Sequence, residues 1–361
     1  MQNRFFVQNC YLKMMILYKV NIIFRSFYKY YMKKRILFIA PTFFGYYKEI
    51  INELENMEYE VDFFPDSPSN SNLFKAISRI NKKLVKFQVN NNFKKNILPK
   101  IKNIKYDYVF FIIGMTFSYT IQNVKKIKEN NPNAKFIMYQ WDGEDNIKFI
   151  KKFHKYFNKI YSFDRLDCQK NNIYKFLPLF YIKNYEKVGR KKINEFEYDV
   201  SYVGTAHPQK YAFINEMSKK LNHIFQNQFI YHYMPSKLKY IFHKLTSKEY
   251  RKAKLEDFKF EKLPSEKIME IFQKSKCIFD APQSGQNGLT IRTIECLGAK
   301  KKLITTNKDI INYDFYNENN ILIYDEEYTK NEKFFNNNYI ELPKELYEKY
   351  SLYNWIKTIL N

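Results

Sequence analysis

GQNGLTIRTIECLGAKKKLITTN, residues Gly285–Asn307, is the stretch from which the fold is read. Just upstream, Ile278, Phe279 and Asp280 close a short apolar run, and Pro282 to Gly288 forbids regular structure. Leu289, Ile291, Ile294 and Leu297 then recur at helical spacing, so a strand feeds a loop that opens a helix. Gly298 falls just past the last periodic residue, where a helix C-cap favours a residue that tolerates positive φ, and Lys300 to Lys302 follow near the negative helix end. Leu303, Ile304 and Thr305 read as the next strand.

A helix N-terminus presents unpaired N–H groups and the positive end of the helix dipole, so the Gly288 turn is a seat suited to phosphate. Arg292 and Glu295, three apart, share one face of the helix. One is a bidentate phosphate ligand, the other a carboxylate able to accept two ribose hydroxyl hydrogens. Residue types alone equally describe an i,i+3 surface ion pair.

Gly288-Leu289-Thr290 with Arg292 and Glu295, the helix end at Gly298 followed by Thr305-Thr306-Asn307, and Tyr202-Val203-Gly204-Thr205 together resemble the nucleotide-sugar segment of a known family. The family is the GT-B glycosyltransferases, specifically the group 1 and CgeB-like enzymes of bacterial capsule and lipopolysaccharide synthesis. The resemblance runs from about Lys34 to the C-terminus and is densest in the second half. It implies an α/β chain of two Rossmann-like domains facing a cleft. Gly204, Thr205, Asn287, Gly288, Leu289, Thr290, Arg292 and Glu295 would line the donor site, with Glu295 on the ribose. Group 1 enzymes show two glutamates with seven residues between them, whereas the position eight before Glu295 is Asn287. The donor-sugar role of the first glutamate therefore does not transfer.

A length of 361 residues suits two domains. The expected division is a basic aromatic extension (1–33), an acceptor domain (34–180), a linker (181–197), a nucleotide-sugar domain (198–342) and a terminal helix crossing back (343–361). The formal charge of +24 raises nucleic acid as a partner, but the lysines spread along the whole chain without an Arg-rich arm or zinc-finger spacing, and nucleic acid is not expected. An AT-biased genome would equally inflate Lys, Asn, Phe and Tyr. A basic surface also suits an anionic cytoplasmic leaflet, where a lipid-linked acceptor would be met. Cys10, Cys168, Cys277 and Cys296 have no metal or redox spacing, which points to a reducing cytoplasm.

Residues 1 to 34 mix Phe, Met and Ile with Lys13, Lys19 and Arg25, leaving no charge-free span of transmembrane length. They read either as an amphipathic segment on a membrane or as an extension upstream of a start at Met32. Arg35–Ala40 is the expected first buried strand, followed by a loop in which Thr42, Phe43 and Gly45 face the cleft. A helix over 48–57, strands at 60–64, 108–113, 135–140, 159–163 and 176–179, and a helix over 116–130 complete the first half. Asp142, after the fourth strand, stands where an inverting transferase needs a base for the acceptor hydroxyl, although an Asp there, with Asp145, serves as well for a helix N-cap. Asp164 reads as an ion-pair partner of Arg165 or Lys170, or an acceptor contact.

In the second half, strands are expected at 198–203, 228–233, 258–260 and 320–324. Thr205 could cap a helix over 209–223, and Ser265 caps one running to Lys274. The basic, aromatic segment 237–254 reads as an exposed helix or a surface for membrane or acceptor. Trp355 anchors a helical tail from 343 to 360.

The function implied is transfer of a sugar from a nucleotide diphosphate sugar to a glycan or lipid-linked acceptor, with no cofactor and no metal. The alternatives are a nucleotide-sugar 2-epimerase of the same fold and a non-catalytic scaffold.

Overall fold

A computed structural model of the protein describes residues 33–42, 45–69, 71, 74, 77, 81–191, 195–282, 287–325 and 331–361. Residues 1–32 of the N-terminal extension with Cys10, Phe43, and the loop residues 283–286 with Gly285 lie outside them.

The apolar runs of the first half become six parallel strands: β1 (Arg35–Ala40), β2 (Glu60–Pro65), β3 (Tyr108–Ile113), β4 (Lys135–Gln140), β5 (Lys159–Ser162) and β6 (Lys175–Phe176), ordered β2-β1-β3-β4-β5-β6. Both sheet faces are covered, which is why β3 reads YVFFII with all six residues buried. Helix α1 (Tyr46–Asn56) follows β1, and Gly45 at φ 79 makes the left-handed turn into it. Helix α2 (Lys82–Asn92) continues through a π turn, and α3 (Ile121–Asn130) precedes β4. The helix expected from Thr116 starts five residues later, because Thr120 caps it. Before that, Thr116 and Ser118 spend their hydroxyls on Asp66, by bonds of 2.7 and 2.9 Å. Helix α4 (Arg165–Lys170) links β5 to β6, and β6 ends at Phe176, so the strand expected through Leu179 is only two residues long.

Helix α5 (Lys183–Arg190) leads into the second sheet, which is also parallel throughout. Its strands are β7 (Tyr198–Thr205), β8 (Gln228–Tyr233), β9 (Phe258–Lys259), β10 (Ser275–Asp280), β11 (Lys302–Thr305) and β12 (Ile321–Ile323). Their order, β9-β8-β7-β10-β11-β12, is the 3-2-1-4-5-6 winding of dinucleotide-binding folds, with its switch point between β7 and β10. The connecting helices are α6 (Pro208–Lys220), α7 (Lys237–Thr246), α8 (Ser265–Lys274) and α9 (Ile291–Gly298). Pro264, not Ser265, occupies the N-cap of α8, without a side-chain bond.

Short α10 (Glu332–Asn336) precedes a tail that folds as two helices, α11 (Lys344–Lys349) and α12 (Leu352–Leu360), in place of the single one expected; they break at Tyr350-Ser351, where Ser351 caps α12. Trp355 of α12 is buried against first-sheet residues, its ring centroid 4.8 Å from Tyr139 and 6.0 Å from Phe110, and 4.5 Å from Phe180. One apolar cluster thus joins Ile36, Phe38 and Tyr139 of the first sheet to Ile294 and Leu297 of α9 and Leu303 of β11, with Trp355 and Ile356 between.

Gly298 corrects the expectation of a positive-φ cap. It is still helical, Ala299 is the C-cap, and Lys300 takes the positive φ of 50. The glycine is required by proximity, since a Cβ there would lie 2.5 Å from Cγ of Tyr181.

Candidate functional site

The loop ending β10 and the start of α9 meet the first sheet's β5–α4 corner. Thr290 is the α9 N-cap, its Oγ1 accepting the Thr293 N–H at 3.3 Å. The Thr290 and Thr293 hydroxyls both donate to Oδ2 of Asp280, the buried last residue of β10. Lys210, in the first turn of α6, places Nζ 3.6 Å from Oδ1 of the same carboxylate. Asp280 and Lys210 are site residues that the sequence reading passed over; the one signal available was an acidic residue closing an otherwise apolar strand.

Arg292 and Glu295 do share a face of α9, with Nη1 2.7 Å from Oε2. They are not a surface pair: Glu295 is 2% exposed. Tyr46, at the start of α1 under the first sheet, donates its hydroxyl to Oε1 of Glu295. Arg292 also reaches Tyr185 Oη on α5 (3.3 Å) and the Val203 carbonyl at the end of β7 (3.5 Å), with its guanidinium 4.9 Å from the Phe272 ring centroid. Burial pushes the Glu295 carboxyl up, against the opposing pull of Arg292 and Tyr46. Burial likewise disfavours the Arg292 cation, but Glu295 and the neighbouring tyrosines outweigh it and hold the guanidinium above its ordinary value.

Gly288 is seated against the other half of the molecule. Its N–H donates to Oδ2 of Asp164 at 2.9 Å, and a Cβ on it would fall 2.6 Å from the Phe163 ring. Asp164 is not an ion-pair partner of its neighbours. It caps α4 through the Leu166 and Asp167 amides and spends its second oxygen on Gly288. Next to it, Arg165 makes a two-pronged ion pair with Asp309 of the second half, Nε to Oδ2 at 3.1 Å.

The remaining expected positions are distributed as follows. Leu289 is buried in the shared core. Asn287 is exposed, and its carbonyl accepts from Asn307 Nδ2 at 3.0 Å, which ties the loop to the end of β11. The place over Gly204 is filled from within by the Tyr202 hydroxyl, 2.4 Å from where a Cβ would stand. Thr205 does not cap α6, whose N-cap is His207, followed by Pro208. Asp142 does not cap the three-residue turn after it, which starts from Gly143; its Oδ2 accepts the Met115 N–H at 2.8 Å.

At the first sheet's switch point, between β1 and β3, Ala40, Pro41, Tyr46, Tyr47, Ile50, Ile112 and Trp141 line a cleft of about 210 Å³, mouth included. Tyr46 therefore borders this cleft and touches Glu295. Among the described residues, no three His, Cys, Asp or Glu side chains cluster as a metal site would.

Two parallel α/β sheets of six strands, closed by a terminal helix packed on the first, make up the GT-B fold. Among solved structures, the chain is similar to the lipopolysaccharide outer core galactosyltransferase WaaB in its apo form, with TM-score 0.50, 11% identity, and coverage of 90% of this chain and 99% of that one. It is also similar to the catalytic domain of starch synthase IV from Arabidopsis thaliana bound to ADP and acarbose, with TM-score 0.53, 9% identity, and coverage of 91% and 96%. No family model matches the sequence. No curated protein matches it either.

Proposed function

We propose that this protein is a glycosyltransferase that moves a sugar from a nucleotide diphosphate donor to a surface polysaccharide or lipid-linked glycan at the cytoplasmic face of a membrane. One observation carries the reading. A buried carboxylate and its guanidinium partner project from a helix that follows the switch-point strand β10, and a tyrosine on the first helix of the opposite half reaches them.

Departure of a nucleoside diphosphate demands positive charge where the β-phosphate gathers electrons. The α9 N-terminus, Arg292 and Lys210 supply it from this chain, so the reading calls for no resident metal or other cofactor. The backbone around Gly204 and Thr205 borders the same switch point. Glu295 would hold the ribose hydroxyls, and its engagement by Tyr46 means that donor entry exchanges this contact between the halves for one to the sugar. Asp142, on the first half, is the proposed base for the acceptor hydroxyl, with the Met115 amide fixing its position.

Titration calorimetry with UDP and with GDP tests the reading. Saturable binding of one of them, weakened at least tenfold by Arg292→Lys, is expected. Failure of both nucleotides to bind would overturn it in favour of a scaffold, and consumption of a sugar nucleotide without acceptor and without free nucleotide diphosphate would favour an epimerase.

A further inference from the structure

Helix α7 is built inside out. Ser236 caps it, accepting the Lys239 N–H at 3.1 Å, so the helix is well formed. The residues turned to the protein are Tyr240, His243 and Lys244. Tyr240 donates to the Ala253 carbonyl at 3.1 Å, Lys244 bonds the Arg251 and Ala253 carbonyls at 2.8 and 2.6 Å, and the His243 ring stands 5.3 Å from that of Tyr250. The residues turned outward are Leu238, Ile241, Phe242 and Leu245, exposed by 79%, 50%, 61% and 80%. Their spacing of i, i+3, i+4 and i+7 makes one continuous stripe. Soluble helices point such a stripe inward, and a stripe turned outward marks a surface for another phase or partner.

Charge selects the occupant. Between Lys237 and Lys254 the chain carries seven Lys and Arg residues against the single acid Glu249. Lys237, Lys248, Arg251, Lys252 and Lys254 are exposed. Two copies of a chain bearing +24 would bring like charges together at this stripe, whereas anionic headgroups would neutralise them. A helix with Leu and Phe on one side and lysines along its flanks lies in the plane of a bilayer interface, its apolar side among the acyl chains. Among the described residues no helix is long and apolar enough to cross a membrane, so attachment through α7 would be peripheral.

We infer that α7 docks the second domain onto an anionic lipid surface, with Leu238, Ile241, Phe242 and Leu245 inserted and the neighbouring lysines on the headgroups. The inference is independent of the glycosyl-transfer reading, since it concerns a surface and not the donor site.

The test is co-sedimentation of the full chain with vesicles of phosphatidylcholine alone and of phosphatidylcholine mixed with phosphatidylglycerol. Binding is expected to the mixed vesicles, to fall as salt is raised, and to drop at least tenfold in the Leu238→Ser/Phe242→Ser/Leu245→Ser variant. These side chains are exposed, so the variant's circular dichroism and melting should match the parent, and Lys248→Glu/Lys252→Glu should weaken binding with the stripe intact. Three results overturn the inference: no binding of the parent to anionic vesicles, undiminished binding of the triple-serine variant, or a dimer in sedimentation velocity that the serine changes dissolve.

Discussion

Asp164 and Gly288, 124 residues apart, are joined by a 2.9 Å hydrogen bond in which the glycine amide donates to the carboxylate across the two halves of the molecule. The amide that a donor phosphate would use under the proposed function is thus already answered by an anion of the protein's own. Asp164→Asn keeps an oxygen for the α4 cap but turns an NH2 toward the buried Gly288 N–H, so the variant should lose about 1–3 kcal/mol of stability. Removing the charge should also raise nucleotide diphosphate affinity several-fold, because a carboxylate no longer competes for the amide or repels the phosphate. Calorimetry beside urea denaturation measures both. An affinity unchanged in Asp164→Asn would mean that phosphate is held elsewhere.

Gly288 and Gly298 both stand where neighbours leave no room for a methyl group. In Gly288→Ala the Cβ would meet the Phe163 ring at 2.6 Å, and in Gly298→Ala it would meet Tyr181, whose hydroxyl is fixed to the Tyr347 carbonyl at 3.0 Å. Each change should destabilise by about 1–3 kcal/mol. Phe163→Leu should recover part of the Gly288→Ala loss, since the ring edge can be withdrawn, while Tyr181 is pinned at both ends. Thermal melts of the single and double variants decide this.

The strands were legible because parallel strands covered on both faces must be apolar throughout, and RILFIA, YVFFII and KFIMYQ admit little else. β6 was overextended because its two residues are both exposed and carry no such signal. In the site, Arg292 and Glu295 could be paired from helical spacing alone. Tyr46 could not be linked to them, because it lies 249 positions from Glu295 and no local rule joins an α1 start to α9. Gly298 was misread for a related reason: a glycine demanded by φ and one demanded by a neighbouring ring look identical in sequence.

The Glu295 site is a buried charge whose compensation comes from two elements. Arg292→Ala would leave the carboxylate without its cation, at a cost of about 3–5 kcal/mol, and a binding loss in that variant would be ambiguous. Tyr46→Phe removes one charge-assisted bond and should cost about 1.5–3 kcal/mol. If ribose takes over the oxygen that Tyr46 now occupies, Tyr46→Phe should also bind nucleotide no more weakly than the parent despite its lower stability. Denaturation and calorimetry on that variant therefore separate the structural contact from the ligand contact, and a parallel fall in both would refute the exchange.

Acid should weaken the second domain through His232. The ring is 3% exposed on β8, packed near Tyr202, Tyr211 and Phe258, with Nε2 3.2 Å from Asn215 Oδ1. Burial lowers its pKa from 6.5 to about 4, with Asp257 opposing. Between those values the unfolded chain binds the proton and the folded one does not, so stability falls as pH drops through the window, by up to about 1.4 kcal/mol per pH unit. Lys82 and Lys301, which burial lowers from 10.5 to about 8, carry the same sign in the alkaline range, where stability should rise as pH climbs from about 8. Other groups titrate as well, so the informative quantity is the difference between the parent and His232→Phe in urea melts across pH 4 to 6.5. That difference should change steadily through the window, and a flat one would show that the ring's protonation is not coupled to folding.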